Sequence, residues 1–249
     1  MSEFSSDDAK RFEALLSQSK LSGNTVLAMK LLEEQGSLAT GHAYLGIGAG
    51  DGELEHHLAV SHDAQVGYVD PSDNLAGRFQ MRMRDSGLES RIKDFSVTPA
   101  ADAKLAETYH CAVAIHSWYY IGYEEPVLAK IMASLKPGGS LSILVHARDA
   151  LVPQITGAPV HAEQLLAWVQ AQGYPASLKP CSETVQPEHF LNPDGSLNAR
   201  GRKWISYLLK LDESAVPPAE WTRCRELLAA QGRRITFKYG WIKVDPKPS

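Results

Sequence analysis

The sequence is poor in cysteine and has no long apolar run. Its three cysteines, Cys111, Cys181 and Cys224, lie far apart, are odd in number and fit no zinc spacing. They predict reduced thiols rather than a disulfide framework. No stretch of about 18 apolar residues occurs, so no membrane-spanning helix is expected. The first eight residues are polar and acidic and lack the basic and apolar blocks of a secretory signal. A cytoplasmic location is the resulting expectation. His56, His57 and His62 invite a metal reading, but no cysteine or carboxylate pattern completes a ligand set, so no metal is expected. Internal repeats and low-complexity tracts are also lacking.

What is present fits an ordinary globular chain. Its 249 residues, 44% hydrophobic and 22% charged, suffice for one domain over 1–249 carrying an insertion. The net charge of −4 is uneven. Eleven Lys or Arg against five Asp or Glu give residues 199–249 a net charge of +6, leaving −10 for residues 1–198. A basic end attracts acidic ligands or nucleic acid, or is simply a solvated helix face.

Apolar periodicity alternates strand and helix. Two amphipathic helices are expected near the N-terminus, within about 8–35, at 12–18 and 25–34. Strands follow at 43–47, 65–69, 91–95, 111–115 and 140–146, with helices at 53–60, 72–86 and 125–135. Such alternation predicts a parallel sheet covered on both faces. Beyond 150 come a helix at 161–172, a sixth strand at 177–184 and a last strand at 235–244. Between the last two strands, about 186–232 reads as a helical insertion with helices at 199–211 and 219–230, a common place for a substrate lid.

Three short motifs carry chemistry. The first is Gly48-Ala49-Gly50-Asp51-Gly52, between the first strand and the helix after it. Glycines there let the backbone approach a ligand, and the helix start offers free N–H groups. Its spacing differs from the dinucleotide-binding pattern. Glu53 and Glu55 at the helix start would repel a pyrophosphate and suit a ligand with an ammonium and a sulfonium, such as S-adenosylmethionine. The second is Asp70, closing the second strand 18 residues beyond Gly52, where a carboxylate can accept hydrogen bonds from ribose hydroxyls or cap a helix. The third is Lys136-Pro137-Gly138-Gly139, a chain reversal between helix and strand.

In this order the motifs resemble class I S-adenosylmethionine-dependent methyltransferases over about 40–150. The resemblance implies a Rossmann-like, seven-stranded, mostly parallel sheet with helices on both faces and an antiparallel last strand. It also implies a cofactor site with Gly46, Gly48, Gly50, Glu53, Asp70, Pro71, Ser96, Thr98, Ile115 and His116. Gly46 departs from the family, many members of which place an acidic residue there. Glu53 and Glu55 are the candidates to replace that charge. A closer resemblance, carried by 47–55, by Val69-Asp70-Pro71-Ser72 and by Ile115-His116-Ser117-Trp118-Tyr119-Tyr120, is to the histamine N-methyltransferase group. It implies N-methylation of a small amine or nitrogen heterocycle. Histamine itself is not expected, because Asn24 or Thr25, His116 and Phe237 stand where that group has its substrate-binding side chains.

His116 follows the fourth strand, where the carboxyl edge of the sheet opens on the ligand crevice, and is either a general base or an orienting residue. Trp118, Tyr119, Tyr120 and Tyr123 offer aromatic faces to a planar or cationic acceptor, although some must pack in the core. Trp204, Tyr207 and Trp221 in the insertion, and Phe237 after it, cap the pocket or hold helices together. Arg200, Arg202 and Lys203 bind an acceptor carboxylate or are surface charges, and Phe4 and Phe12 are candidates to close over the cofactor. Transfer to oxygen, sulfur or carbon, modification of nucleic acid, and binding without catalysis are the competing readings. No nucleic-acid or membrane partner is expected, and the oligomeric state is open.

Overall fold

Strand β1 (Ala43–Ile47) is buried along its whole length, and its side chains alternate between the two faces of a sheet. Ala43, Leu45 and Ile47 enter one core, and Tyr44 enters the other. The computed structural model describes residues 23–106, 108–157 and 160–248. The helix expected at 12–18 and the side chains of Phe4 and Phe12 lie outside the described residues.

Beside β1 run β2 (Gln65–Val69), β3 (Ile92–Ser96), β4 (Tyr109–Ile115), β5 (Leu135–His146), β6 (Ala176–Val185) and β7 (Ile235–Val244). Their order across the sheet is β3-β2-β1-β4-β5-β7-β6. The first five strands pair in parallel, and β7 lies antiparallel between β5 and β6. The order reverses between β1 and β4. Connections from neighbouring strands diverge there, which leaves a crevice at their carboxyl ends.

Helices α1 (Gly23–Glu34), α2 (Glu53–His62) and α3 (Asp73–Asp85) cover one face. On the other, α5 (Glu125–Ala133) and α7 (Ala162–Ala171) bury Leu128, Ile131, Leu165 and Val169. A single-turn helix, α4 (Trp118–Ile121), follows β4. The insertion between β6 and β7 holds α8 (Ala199–Leu209) and α9 (Pro218–Ala229), and it packs on the α1–α3 face through Ile205, Cys224 and Leu228.

Two local details depart from the sequence expectation. Lys136-Pro137-Gly138-Gly139 is not a turn ahead of a separate strand. It bulges out of β5, because Tyr109 pairs with Leu135 and Cys111 already pairs with Ser140. A six-residue helix, α6 (Leu151–Thr156), was not expected. Its apolar pattern is too short to read, and Pro153 in its first turn looks like a breaker.

Candidate active site

The glycine turn closes over the crevice because three of its residues take positive φ. Gly48, Gly50 and Gly52 have φ of 62°, 60° and 68°, a region that side chains with a Cβ avoid. The end of β2 clamps this turn. Gly48 and Ala49 give their N–H groups to Val69 O at 2.7 and 3.1 Å. Asp70 Oδ2 accepts from Gly50 N at 2.9 Å, and Oδ1 accepts from Ser72 N at 2.9 Å. The Tyr68 hydroxyl donates to Gly50 O at 2.6 Å. Burial pushes the Asp70 carboxyl above its ordinary range, and the two backbone N–H groups pull it back. Each oxygen keeps a lone pair for a further donor.

A cleft of about 370 Å³ opens beneath this turn. Of the residues expected to form the site, Gly48, Gly50, Glu53, Asp70, Pro71, Thr98, Ile115, His116 and Tyr120 line it. Asp51 and Glu55 add two further carboxylates, and among the described residues no Lys or Arg side chain lines the cleft. Asp51 is paired with Arg82 at 2.6 Å, and Glu53 accepts from the Thr25 hydroxyl of α1 at 2.7 Å. Glu55 is buried, with Oε2 unpartnered, and desolvation raises its pKa to about 8.

Gly46 does not line the cleft. The carboxyl of Glu55 fills the space that a side chain at position 46 would need. Ser96 stands one step back and bonds to the Thr98 hydroxyl at 2.8 Å. Trp118 is fully buried in the core, where its indole N–H donates to Gly122 O at 2.9 Å, so it is not a pocket wall. A one-turn helix points neighbouring side chains in different directions, and here Tyr120 alone of the three aromatics reaches the cleft.

His116 sits at the mouth of β4 with φ 52°, a left-handed conformation that is costly for a residue with a Cβ. Its N–H donates to Leu144 O at 2.9 Å, which holds that conformation in place. Tyr119 lies behind it. The Tyr119 hydroxyl accepts from His146 N at 2.5 Å and comes within 3.4 Å of His116 Nδ1. Tyr119 therefore supports His116 rather than walling the pocket. Desolvation lowers the His116 pKa to about 4, which makes the ring neutral at physiological pH.

Trp204 and Phe237 do not reach the cleft either. They pack edge to face at 5.7 Å, and Phe190 lies 4.9 Å from Trp204. This cluster fastens the insertion to β7. The insertion reaches the cleft through Tyr207, while Lys210 Nζ lies 5.2 Å from the centre of the Tyr120 ring. Trp221 packs against the core, Arg202 pairs with Glu213, and neither they nor Arg200 and Lys203 line the cleft.

Sequence reasoning missed Ser117, whose hydroxyl donates to Ile47 O at 2.5 Å and whose Cβ abuts Gly48. It gave Asn24 and Thr25 only as positions lacking a carboxylate. Both line the cleft, and Asn24 Oδ1 is buried without a partner. Nothing local marks them, since α1 is brought to the cleft by packing.

A glycine cradle, cleft carboxylates unmatched by a lining cation and an orphaned Glu55 oxygen fit a nucleoside ligand that carries positive charge. The comparisons agree. Residues 21–186 match a family model described as a methyltransferase domain. The chain belongs to that family and is a class I, S-adenosylmethionine-dependent methyltransferase. No curated protein sequence matches it significantly.

Solved structures share the fold at low identity. A protein provisionally assigned as a sarcosine dimethylglycine methyltransferase, from Galdieria sulphuraria, is 12% identical with a TM-score of 0.62, over 96% of this chain and 98% of that one. Phosphoethanolamine N-methyltransferase 2 of Haemonchus contortus, solved with phosphomonomethylethanolamine and S-adenosylhomocysteine, is 16% identical with a TM-score of 0.59. That match covers 98% of this chain and 58% of the other. The [4+2]-cyclase SpnF is 22% identical with a TM-score of 0.59, over 88% and 80%. A cyclase on this scaffold illustrates that fold alone does not assign a reaction.

Proposed function

We propose that the chain transfers a methyl group to a nitrogen of a small amine or nitrogen heterocycle by direct in-line displacement. The observation that carries this reading is the charge of the cleft. Asp51, Glu53 and Asp70 line it beside the protonated Glu55, no Lys or Arg lines it among the described residues, and it ends at a neutral His116. An acceptor that becomes cationic as its nitrogen is methylated is favoured by such a wall.

S-adenosylmethionine, when bound, supplies a methyl group on a sulfonium. Asp70 would accept from the ribose hydroxyls, and the glycine turn would lie along the nucleoside. Thr98 and Ile115 would flank it. His116, being neutral, does not repel a sulfonium. A ring with a pKa of about 4 holds a proton weakly, so His116 orients the acceptor and the amine enters already deprotonated by water. Tyr119 keeps the His116 ring in place. Tyr120 and Tyr207 offer aromatic walls that shield the reacting nitrogen from water and attract a developing cation. The insertion, fastened through Trp204 and Phe237, acts as the lid.

The names of the Galdieria and Haemonchus relatives support a nitrogen acceptor. Nothing in the comparisons singles out the histamine-type group, and that finer assignment rests on the sequence resemblance at 47–55, 69–72 and 115–120. The test is a screen with methyl-labelled S-adenosylmethionine over amines, amino acids, imidazoles, phenols and thiols. Labelled N-methyl product from one amine class is expected. Label on oxygen, sulfur or carbon, with no amine modified, would replace this reading.

A further inference from the structure

Glu55 lies in the first turn of α2, yet its carboxyl is turned inward to the floor of the cleft. Only 3% of the residue is exposed. It reaches this place because Gly46, one residue before the end of β1, has no side chain. A Cβ there would collide with Oε1 and Cδ of Glu55 and with Cβ of Ala49. Oε2 has no hydrogen-bond partner. A buried polar atom without a partner costs stability, so its retention at the wall of a ligand cleft points to a donor that arrives with the ligand.

The surroundings specify that donor. Asp51 and Asp70 face Glu55 and disfavour its charged form, and Arg82 faces it and favours that form. Arg82 gives its Nη2 to Asp51 instead. A sulfonium has no hydrogen to give to Oε2. An ammonium has three.

We propose that Glu55, in the space left by Gly46, is the counter-ion of the cofactor's ammonium group, and that it is protonated in the free protein and loses that proton to solvent when the cofactor binds. This rests on the cofactor assignment above. Burial that places its pKa at about 8 makes the free carboxyl neutral at pH 7. Binding then creates an ammonium–carboxylate pair and releases about one proton to the buffer.

The test is calorimetry at pH 7 with two ligands, S-adenosylhomocysteine and methylthioadenosine. The second keeps the nucleoside and lacks the amino acid. Wild-type protein is titrated in buffers of different ionisation heat, beside Glu55→Gln. For wild type, proton release is expected with S-adenosylhomocysteine and not with methylthioadenosine. Glu55→Gln is expected to bind S-adenosylhomocysteine about ten- to a hundredfold more weakly, with no proton release and unchanged affinity for methylthioadenosine. Equal proton release in wild type and Glu55→Gln, or equal weakening for both ligands, would overturn the proposal. Wild-type protein that bound neither ligand would instead overturn the cofactor assignment. Should Glu55→Gln not fold, the proton release of wild type decides alone, and its absence with S-adenosylhomocysteine overturns the proposal.

Discussion

Asp70 and Gly50 are joined by a 2.9 Å hydrogen bond from the backbone N–H of the turn to the carboxylate at the end of β2. One side chain thereby shapes the glycine turn and faces the cleft beneath it. The same carboxylate also starts the next helical segment, through Ser72 N.

Asp70→Ala removes both functions. Loss of charged hydrogen bonds is expected to weaken S-adenosylhomocysteine binding by roughly 1–3 kcal/mol, with a smaller loss of thermal stability. Calorimetry and thermal melts read the two separately. Unchanged affinity would take Asp70 out of the cofactor site.

His116→Asn should lower turnover while sparing cofactor affinity, and should leave the shape of the pH–rate profile in place. The neutral ring orients, and the rising limb with pH belongs to the acceptor's own ionisation. Steady-state kinetics from pH 6 to 9 checks this. Disappearance of that limb in His116→Asn would make His116 the general base.

Trp204→Ala should detach the insertion from β7. Trp204 is only half-buried, so a loss of about 2 kcal/mol is expected, below the full cost of a buried tryptophan. Acceptor KM should rise several-fold, while cofactor Kd stays constant because the turn and Asp70 are untouched. An unchanged KM would leave the insertion without a role in acceptor binding.

Trp118→Ala should cost about 3–5 kcal/mol, because its indole is wholly enclosed and its N–H is satisfied by Gly122. The milder Trp118→Phe should keep acceptor KM near wild type. Chemical denaturation and kinetics on the same preparations separate core from pocket.

Glu55 also sets a pH dependence on the cofactor-free protein. Its carboxyl has a folded pKa of about 8 against an ordinary 4.5, so its contribution to stability is present below pH 4.5 and is lost as pH rises through 8. His116 has the opposite sign. Its folded pKa of about 4 against 6.5 makes stability fall as pH drops through that window. Between pH 6.5 and 8 only Glu55 of the pair changes its proton balance. Wild-type melting temperature should therefore fall across that interval, and Glu55→Gln should flatten the fall. Parallel curves would remove Glu55 as the titrating group.

The sequence by itself determined β1, β2 and β7 to the residue, the glycine turn and the charge of the ligand it serves. These depend on local facts: apolar runs of five to ten residues, positive φ that only glycine adopts without strain, and carboxylates at a helix start. Tertiary structure alone decided which side chains face the cleft. Trp118 and Tyr120 are two residues apart and equally aromatic, but a single turn of helix sends one to the core and one to the ligand. Trp204 meets Phe237 only because the insertion folds back on the sheet. The sequence offered Glu53 and Glu55 alike for the charge missing at Gly46, and only the packing of α2 against β1 set the Glu55 carboxyl in that gap.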